Sequence, residues 1–279
     1  MSAVIRRHPL VAFFVLAFAI TWAPTPFGIF MAAGPLLAAI VITAVVDGRL
    51  GLRELGSRMI RWRVGWQWYA AAILTPLAVV FGTGGLNVAL GAPGSVIRDL
   101  SISSAVLLFA LRLVIPVFAP IGEEPGWRGF ALPRLLAERS PFEATLFLGL
   151  VVALWHVPLI FIASEDLPPI FLLTTVAVTF FYSWLFIHTG GSVFITIVAH
   201  ATEGLIGREL TGDDGWAGSD ETHWILLYTA GWCAVALALL IFDWKLWRMR
   251  LPSASPAIRS QPVPIAPTPV SQGRAETAT

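Results

Sequence analysis

Apolar residues run along this chain in long blocks, broken by short polar hinges rich in proline, glycine and arginine. A hydrocarbon core about 30 Å thick asks for close to 20 apolar residues per crossing helix. By that measure the sequence predicts eight spans, approximately 9–25, 27–46, 66–91, 103–122, 144–162, 168–187, 191–207 and 224–244. The first two are separated only by Pro24, Thr25 and Pro26, a helix-breaking turn. The fold class expected is all-α, a polytopic membrane protein of about eight transmembrane helices. Composition agrees: 57% of residues are hydrophobic, 13% are charged and the mean hydropathy is +0.78. Soluble domains carry about twice that charged fraction. Cys233 is the single cysteine, so no disulfide and no cysteine-based metal site can be built.

Charge adds an orientation. With the N-terminus inside, segments 1–8, 47–65, 123–143, 188–190 and 245–279 hold nearly all of the 18 basic residues, from Arg6 and Arg7 to Lys245, Arg248 and Arg250. Arg98 and Arg208 fall outside, and Arg112 lies within a span. The positive-inside rule then places both termini in the cytoplasm. The opposite loops are acidic, with Glu165, Asp166, Asp213, Asp214, Asp220 and Glu221. Arg6 and Arg7 resemble a signal-peptide n-region, but no small-residue cleavage site follows, so a retained first helix is expected. From Leu251 the chain is rich in Pro, Ser, Ala and Thr and is expected to be disordered. The divisions expected are three N-terminal helices in 1–100, a helical core in 101–246 and a cytoplasmic Pro-rich tail in 247–279.

Ionisable groups in or beside lipid are expensive and therefore point to function. Glu123 and Glu124 close the fourth span, followed by Pro125, Gly126 and, four residues after Glu124, Arg128. A helix running through 103–124 is expected to kink or end at Pro125, which lacks an N–H. Glu124 and Arg128 are spaced for an ion pair on one helical face. Paired carboxylates, one tied to arginine and one free, suit a general base. His156 lies in the fifth span, just before Pro158, and its partner is expected from another helix. His200 lies in the seventh span, nine residues from its start, with Glu203 three residues on. Glutamate and histidine converging from three helices suggest an intramembrane site that either ligates a divalent metal or activates water directly. His188 sits in a tight turn, and the stretch from Phe130 to Arg139 reads as an amphipathic interfacial helix.

The segment Glu123-Glu124-Pro125-Gly126-Trp127-Arg128-Gly129-Phe130, continuing Leu132-Pro133-Arg134-Leu135, resembles the first motif, Glu-Glu-x-x-x-Arg, of the CPBP (or Abi) family. These are bacterial relatives of the Ras-converting CAAX prenyl endopeptidase. Trp155-His156-Val157-Pro158 is similar to the second motif, and Gly191-Ser192 through His200 to the third. The resemblance covers roughly residues 100–206. It implies an intramembrane endopeptidase cleaving near the cytoplasmic face, with Glu123 activating water and His156 as its partner. Glu124 and Arg128 would orient Glu123, and His200 would hold the oxyanion. In a metal-dependent description, Glu123, His156 and His200 would ligate a divalent ion such as zinc; otherwise no cofactor is implied. The partners implied are the lipid bilayer and a peptide or protein substrate, with no nucleic acid. Where the family commonly has Asn, four residues after the third-motif histidine, this chain has Gly204. The expectation is an oxyanion held by His200 alone, so that Gly204→Asn raises turnover. Two other readings use the same residues: a catalytically inactive scaffold or immunity protein, favoured by Gly204, and a proton-coupled transporter. The transporter predicts inverted hydropathy repeats, and none is evident.

Overall fold

A computed structural model describes residues 2–98, 101–115, 119–162, 167–205 and 215–250. The acidic residues Glu165, Asp166, Asp213 and Asp214, and the tail from Leu251, lie outside the described residues. The helices are α1 (Ser2–Arg7), α2 (Pro9–Trp22), α3 (Gly34–Val46), α4 (Gly48–Met59), α5 (Trp66–Ala89), α6 (Ser95–Arg98) and α7 (Ile102–Val114). They continue with α8 (Pro120–Glu124), α9 (Leu132–Leu136), α10 (Pro141–His156), α11 (Phe171–His188), α12 (Val193–Glu203), α13 (Ser219–Phe242) and α14 (Trp244–Arg248).

Every predicted span contains an apolar helix. Five stretches are long and apolar enough to cross a bilayer: Pro9–Phe27, Trp66–Ala89, Pro141–Ile160, Phe171–His188 and Ser219–Phe242. Helices α3, α7 and α12 are apolar but shorter, with 13, 13 and 11 residues. At 1.5 Å per residue they reach only about 17–20 Å. The outward faces are apolar as well: Leu74, Phe81 and Leu86 on α5, Leu150 and Leu154 on α10, and Leu226, Leu237 and Ile241 on α13 are all exposed. Soluble proteins do not carry apolar surface on that scale, and lipid is the solvent it fits. The protein is an all-α, polytopic membrane protein.

Helix α11 lies between α10 and α13, α12 packs on α5, and α2 packs on α3. One core gathers Phe13, Trp127, Phe130, Leu148 and Trp155, the other Phe181, Tyr182, Val198 and Trp232. Local signals set the helix starts. Ser140 and Glu143 form a capping box at α10, and Ser192 caps α12 by accepting from Ile195 N–H at 3.2 Å. Gly190 and Gly191, both with positive φ, turn the chain between α11 and α12.

The basic segments meet at one end of the bundle. There Arg6 donates to Val46 O, Arg134 pairs with Asp47, Arg61 donates to Gly190 O, and His188 Nε2 meets Asp243 Oδ2 at 2.6 Å. At the opposite end Trp22 Nε1–H donates to Trp155 O at 3.0 Å, and Phe30 packs edge-on against Trp155.

One expectation needs correcting around the glutamate pair. No single helix runs through 103–124: α7 stops at Val114, and α8 starts at Pro120 after a left-handed Ala119, φ 70°. The α-helix does end at Pro125, as the sequence predicts, with α8 closing at Glu124. Residues Pro125–Ala131 continue as a π-helix into α9. A proline removes one ladder hydrogen bond and crowds the carbonyl four residues back, and the wider π turn absorbs both. Such π segments recur at functional sites. From Phe130 onward the apolar face joins the core: Phe130, Ala131, Leu132, Leu135 and Leu136 are buried, with Arg134 over the Phe130 ring.

Gly126 lets this π segment meet α3 backbone to backbone. A Cβ there would lie 2.5 Å from Pro35 Cβ and 2.6 Å from its carbonyl carbon and oxygen. Gly126→Ala is therefore expected to destabilise the bundle by about 1–3 kcal/mol, the usual cost of overpacking. Unfolding in mixed micelles measures this, and an unchanged midpoint would contradict the packing.

Candidate active site

Glu123 and Glu124 occupy the last turn of α8, and both are buried. Helix α8 is held between α3, α7 and α12, so two carboxylates enter the bundle where three neighbouring elements meet. Consecutive residues on a helix point about 100° apart, and the two glutamates find different surroundings.

Glu124 is engaged through one oxygen, while its Oε2 is buried with no hydrogen-bond partner among the described residues. Its Oε1 accepts from Arg128 Nη1 at 3.0 Å and from His200 Nδ1 at 2.9 Å. The Arg128 guanidinium, itself buried, also donates to Thr179 Oγ1 at 3.2 Å and lies over the Tyr182 ring, 4.9 Å from its centroid. Tyr182 in turn stacks on the His200 imidazole, with centroids 5.4 Å apart. Thus Glu124 fixes the ring of His200, and Arg128 supplies the positive charge that a buried carboxylate needs. The sequence motif implies that Glu124 and Arg128 serve Glu123; the geometry joins them to His200.

Glu123 is buried but makes no hydrogen bond to any described residue. The charges of His200, Glu124, Arg128 and Arg112 all act on it. A carboxylate so placed in a charged enclosure is positioned to take up a water or a substrate proton.

His156 ends α10, where the chain tightens into a 3₁₀ turn over Val157–Ile160. Its Nδ1 lies 2.8 Å from Val152 O. A carbonyl only accepts, so Nδ1–H is the donor, and Nε2 remains as the acceptor of the neutral ring. The expected partner from another helix is thus replaced by a backbone carbonyl one turn earlier. Phe30, Trp155 and Phe171 surround the ring. His156 is not hydrogen-bonded to Glu123 among the described residues, although the charge of His200 reaches it.

The expected metal set of Glu123, His156 and His200 does not form. Among the described residues no three His, Cys, Asp or Glu side chains gather closely enough to hold an ion. Glu124 Oε1 and His200 Nδ1 bond each other, and without a third ligand gathered close by the described residues do not form a site for a divalent cation.

Several residues of the site carry little signal in the sequence. Thr179 and Tyr182 complete the Glu124–Arg128–His200 cluster from α11. Their only signal is polar side chains at 175, 179, 182 and 183, spaced along one side of an otherwise apolar helix. Glu203 pairs with the Tyr228 hydroxyl. Arg112, which the sequence assigns to no particular partner, places Nη2 3.4 Å from His200 O. Its guanidinium also fills the space beside Gly204: a Cβ at 204 would lie 2.0 Å from Nη2 and 2.5 Å from Cζ. An asparagine added at 204 would have to displace that guanidinium, so the effect of Gly204→Asn on turnover is tied to what Arg112 does.

A lipid-embedded helical bundle with a buried glutamate pair, an arginine and two histidines defines the class: a polytopic membrane protein with ionisable side chains gathered inside the bundle. Residues 104–206 match the family described as type II CAAX prenyl endopeptidase Rce1-like, close to the stretch that carries the three motifs. Through this region the chain is similar to the CPBP family of CAAX protease relatives. A protein named CAAX prenyl protease 2, from Methanococcus maripaludis, is 27% identical over 153 residues. That similarity covers 51% of this chain and 54% of the archaeal protein, so the chain spans about half the length of the curated relative it matches.

Proposed function

We propose that this protein is an intramembrane endopeptidase that hydrolyses a peptide bond with a glutamate-activated water. The observation that carries the reading is the division of labour between adjacent carboxylates. Glu124 is tied to Arg128 and His200, while Glu123 has no hydrogen-bond partner among the described residues. In the first step Glu123 takes a proton from water as the water oxygen bonds to the scissile carbonyl carbon, and the carbonyl π electrons move onto oxygen. His156, with Nδ1–H committed to Val152 O, offers Nε2 as an acceptor that orients the same water. His200, as the imidazolium whose Nδ1–H is held by Glu124, donates its Nε2–H to the resulting oxyanion. In the second step the carbonyl re-forms, the C–N bond breaks, and the proton held by Glu123 passes to the leaving amine. Each step conserves protons, and neither draws on a cofactor.

His200 lies seven residues into α12, about 10 Å from the arginine-rich end of the bundle at 1.5 Å per residue. With that end cytoplasmic by the positive-inside rule, His200 is reached from the cytoplasmic side of the membrane. Both termini then face the cytoplasm. Reporter fusions after residues 95, 165, 215 and 250 are expected to read outside, outside, outside and inside; a cytoplasmic signal at 215 would invert the site.

The direct test is cleavage by the purified protein in lipid nanodiscs, using a library of membrane-anchored peptides. Prenylated CAAX peptides belong in it, because the archaeal relative is named for that activity. Site-specific cleavage by the wild type supports the reading. No turnover on any member, with a folded protein, would leave the chain as a scaffold.

A further inference from the structure

Arg112 is a charged residue close to the end of an apolar helix, and the hydrolytic steps give it no task. It projects from α7 onto the C-terminal end of α12, which carries His200. Nη2 sits 3.4 Å from His200 O, and the guanidinium lies in the volume that any side chain at Gly204 would take. Its charge reaches Glu123, the group assigned to activate water. The guanidinium thus lies against the end of α12 that carries His200, within electrostatic reach of Glu123 on α8. Arginine stays charged in protein interiors and carries five N–H donors in a planar fork, so one guanidinium can serve several acceptors at once.

Peptide hydrolysis puts a full negative charge on the former carbonyl oxygen, and a single imidazole donor is a thin provision for it. Pre-oriented donors aimed at that oxygen are commonly the largest single contribution to such catalysis. We infer that Arg112 is a catalytic residue of this chain, its guanidinium donating alongside His200 to the oxyanion of the tetrahedral intermediate, and that Gly204 is glycine because the guanidinium occupies its side-chain space. This rests on the endopeptidase reading. The alternative role is a cation capping the C-terminus of α12, favourable there for electrostatic reasons alone.

The test compares wild type, Arg112→Ala, Arg112→Lys, Gly204→Asn and the double variant Arg112→Ala/Gly204→Asn in nanodiscs. It reads kcat and KM on one cleaved peptide, thermal stability, and the affinity of a peptidyl phosphinate that mimics the tetrahedral anion. Arg112→Ala is expected to lower kcat by about 100- to 1,000-fold, the usual effect of losing one oxyanion donor, with KM little changed and phosphinate affinity falling in parallel. Gly204→Asn alone also lowers kcat, by displacing the guanidinium. The double variant recovers part of the loss, because the amide enters the vacated space. Arg112→Lys restores the stability of α12 but not kcat, since it keeps the charge and loses the planar fork; it also decides the matter if Arg112→Ala does not fold. If Arg112→Lys recovers both stability and kcat, or Arg112→Ala keeps wild-type kcat and phosphinate affinity while Glu123→Gln is inactive, Arg112 is a helix cap and the inference falls with the endopeptidase reading intact. Absence of turnover in the wild type overturns both.

Discussion

Glu123→Gln is expected to lower turnover by about 100- to 10,000-fold, the range of a positioned general base, without loss of folded protein. Glutamine is nearly isosteric, so the enclosure formed by α3, α7, α8 and α12 is kept. Only the ability to accept the water proton is removed. The stability of the variant should equal or exceed that of the wild type. Glu123 has no hydrogen-bond partner among the described residues, and a buried carboxylate so placed costs free energy that a neutral amide does not. His200→Ala should cost a comparable factor, as it removes one oxyanion donor and leaves Glu124 with Arg128 alone. His156→Ala should lower kcat less severely, since water can replace an orienting acceptor. Single-turnover cleavage separates these effects from product release. A Glu123→Gln variant within a few-fold of wild type would remove Glu123 from the chemistry.

Arg128→Ala is expected to be the most destabilising replacement in the site, at about 3–5 kcal/mol, the range for removing one partner of a buried ion pair. Arg128 and Glu124 are 2% and 0% exposed, so no solvent can take over the charge of Glu124. The change also strips the hydrogen bond to Thr179 and the cation from the Tyr182 face. The double variant Glu124→Gln/Arg128→Met should be less destabilised than Arg128→Ala, because neither group is left charged and alone. It should still be inactive, because His200 loses the acceptor that sets its ring. Unfolding in mixed micelles gives the stabilities, and the cleavage assay gives the activity. Equal stability loss in single and double variants would mean that the pair is not the source of the cost.

Much of the site is legible in the chain itself. Glu123, Glu124, Arg128, His156 and His200 stand out because ionisable side chains are rare in apolar runs and each needs a reason to be there. The ion pair between Glu124 and Arg128 follows from four-residue spacing alone. Other features are not legible. Pro125 marks the end of α8, but nothing in the local sequence shows that the path continues as a π-helix, because that depends on what Pro125–Ala131 pack against. The alternation of apolar and basic residues from Phe130 to Arg139 gives an amphipathic stretch, but not that Arg134 reaches Asp47 and its neighbours enter the core.

By itself, then, the amino-acid sequence determined the solvent, the helical class, the apolar segments and the short list of residues able to do chemistry. Hydropathy and charge are properties of single residues and short windows, so a linear reading captures them. Only the tertiary structure decided which of those residues meet. His200 turned to Glu124, His156 to the carbonyl of Val152, and Arg112 to the space over Gly204. Each pairing depends on the rotation and axial register of one helix against another. Apolar helices of similar length satisfy the membrane equally well in many registers, and in this bundle the packing of bulky and small side chains, such as Trp127 against Phe13 and Gly126 against Pro35, selects one.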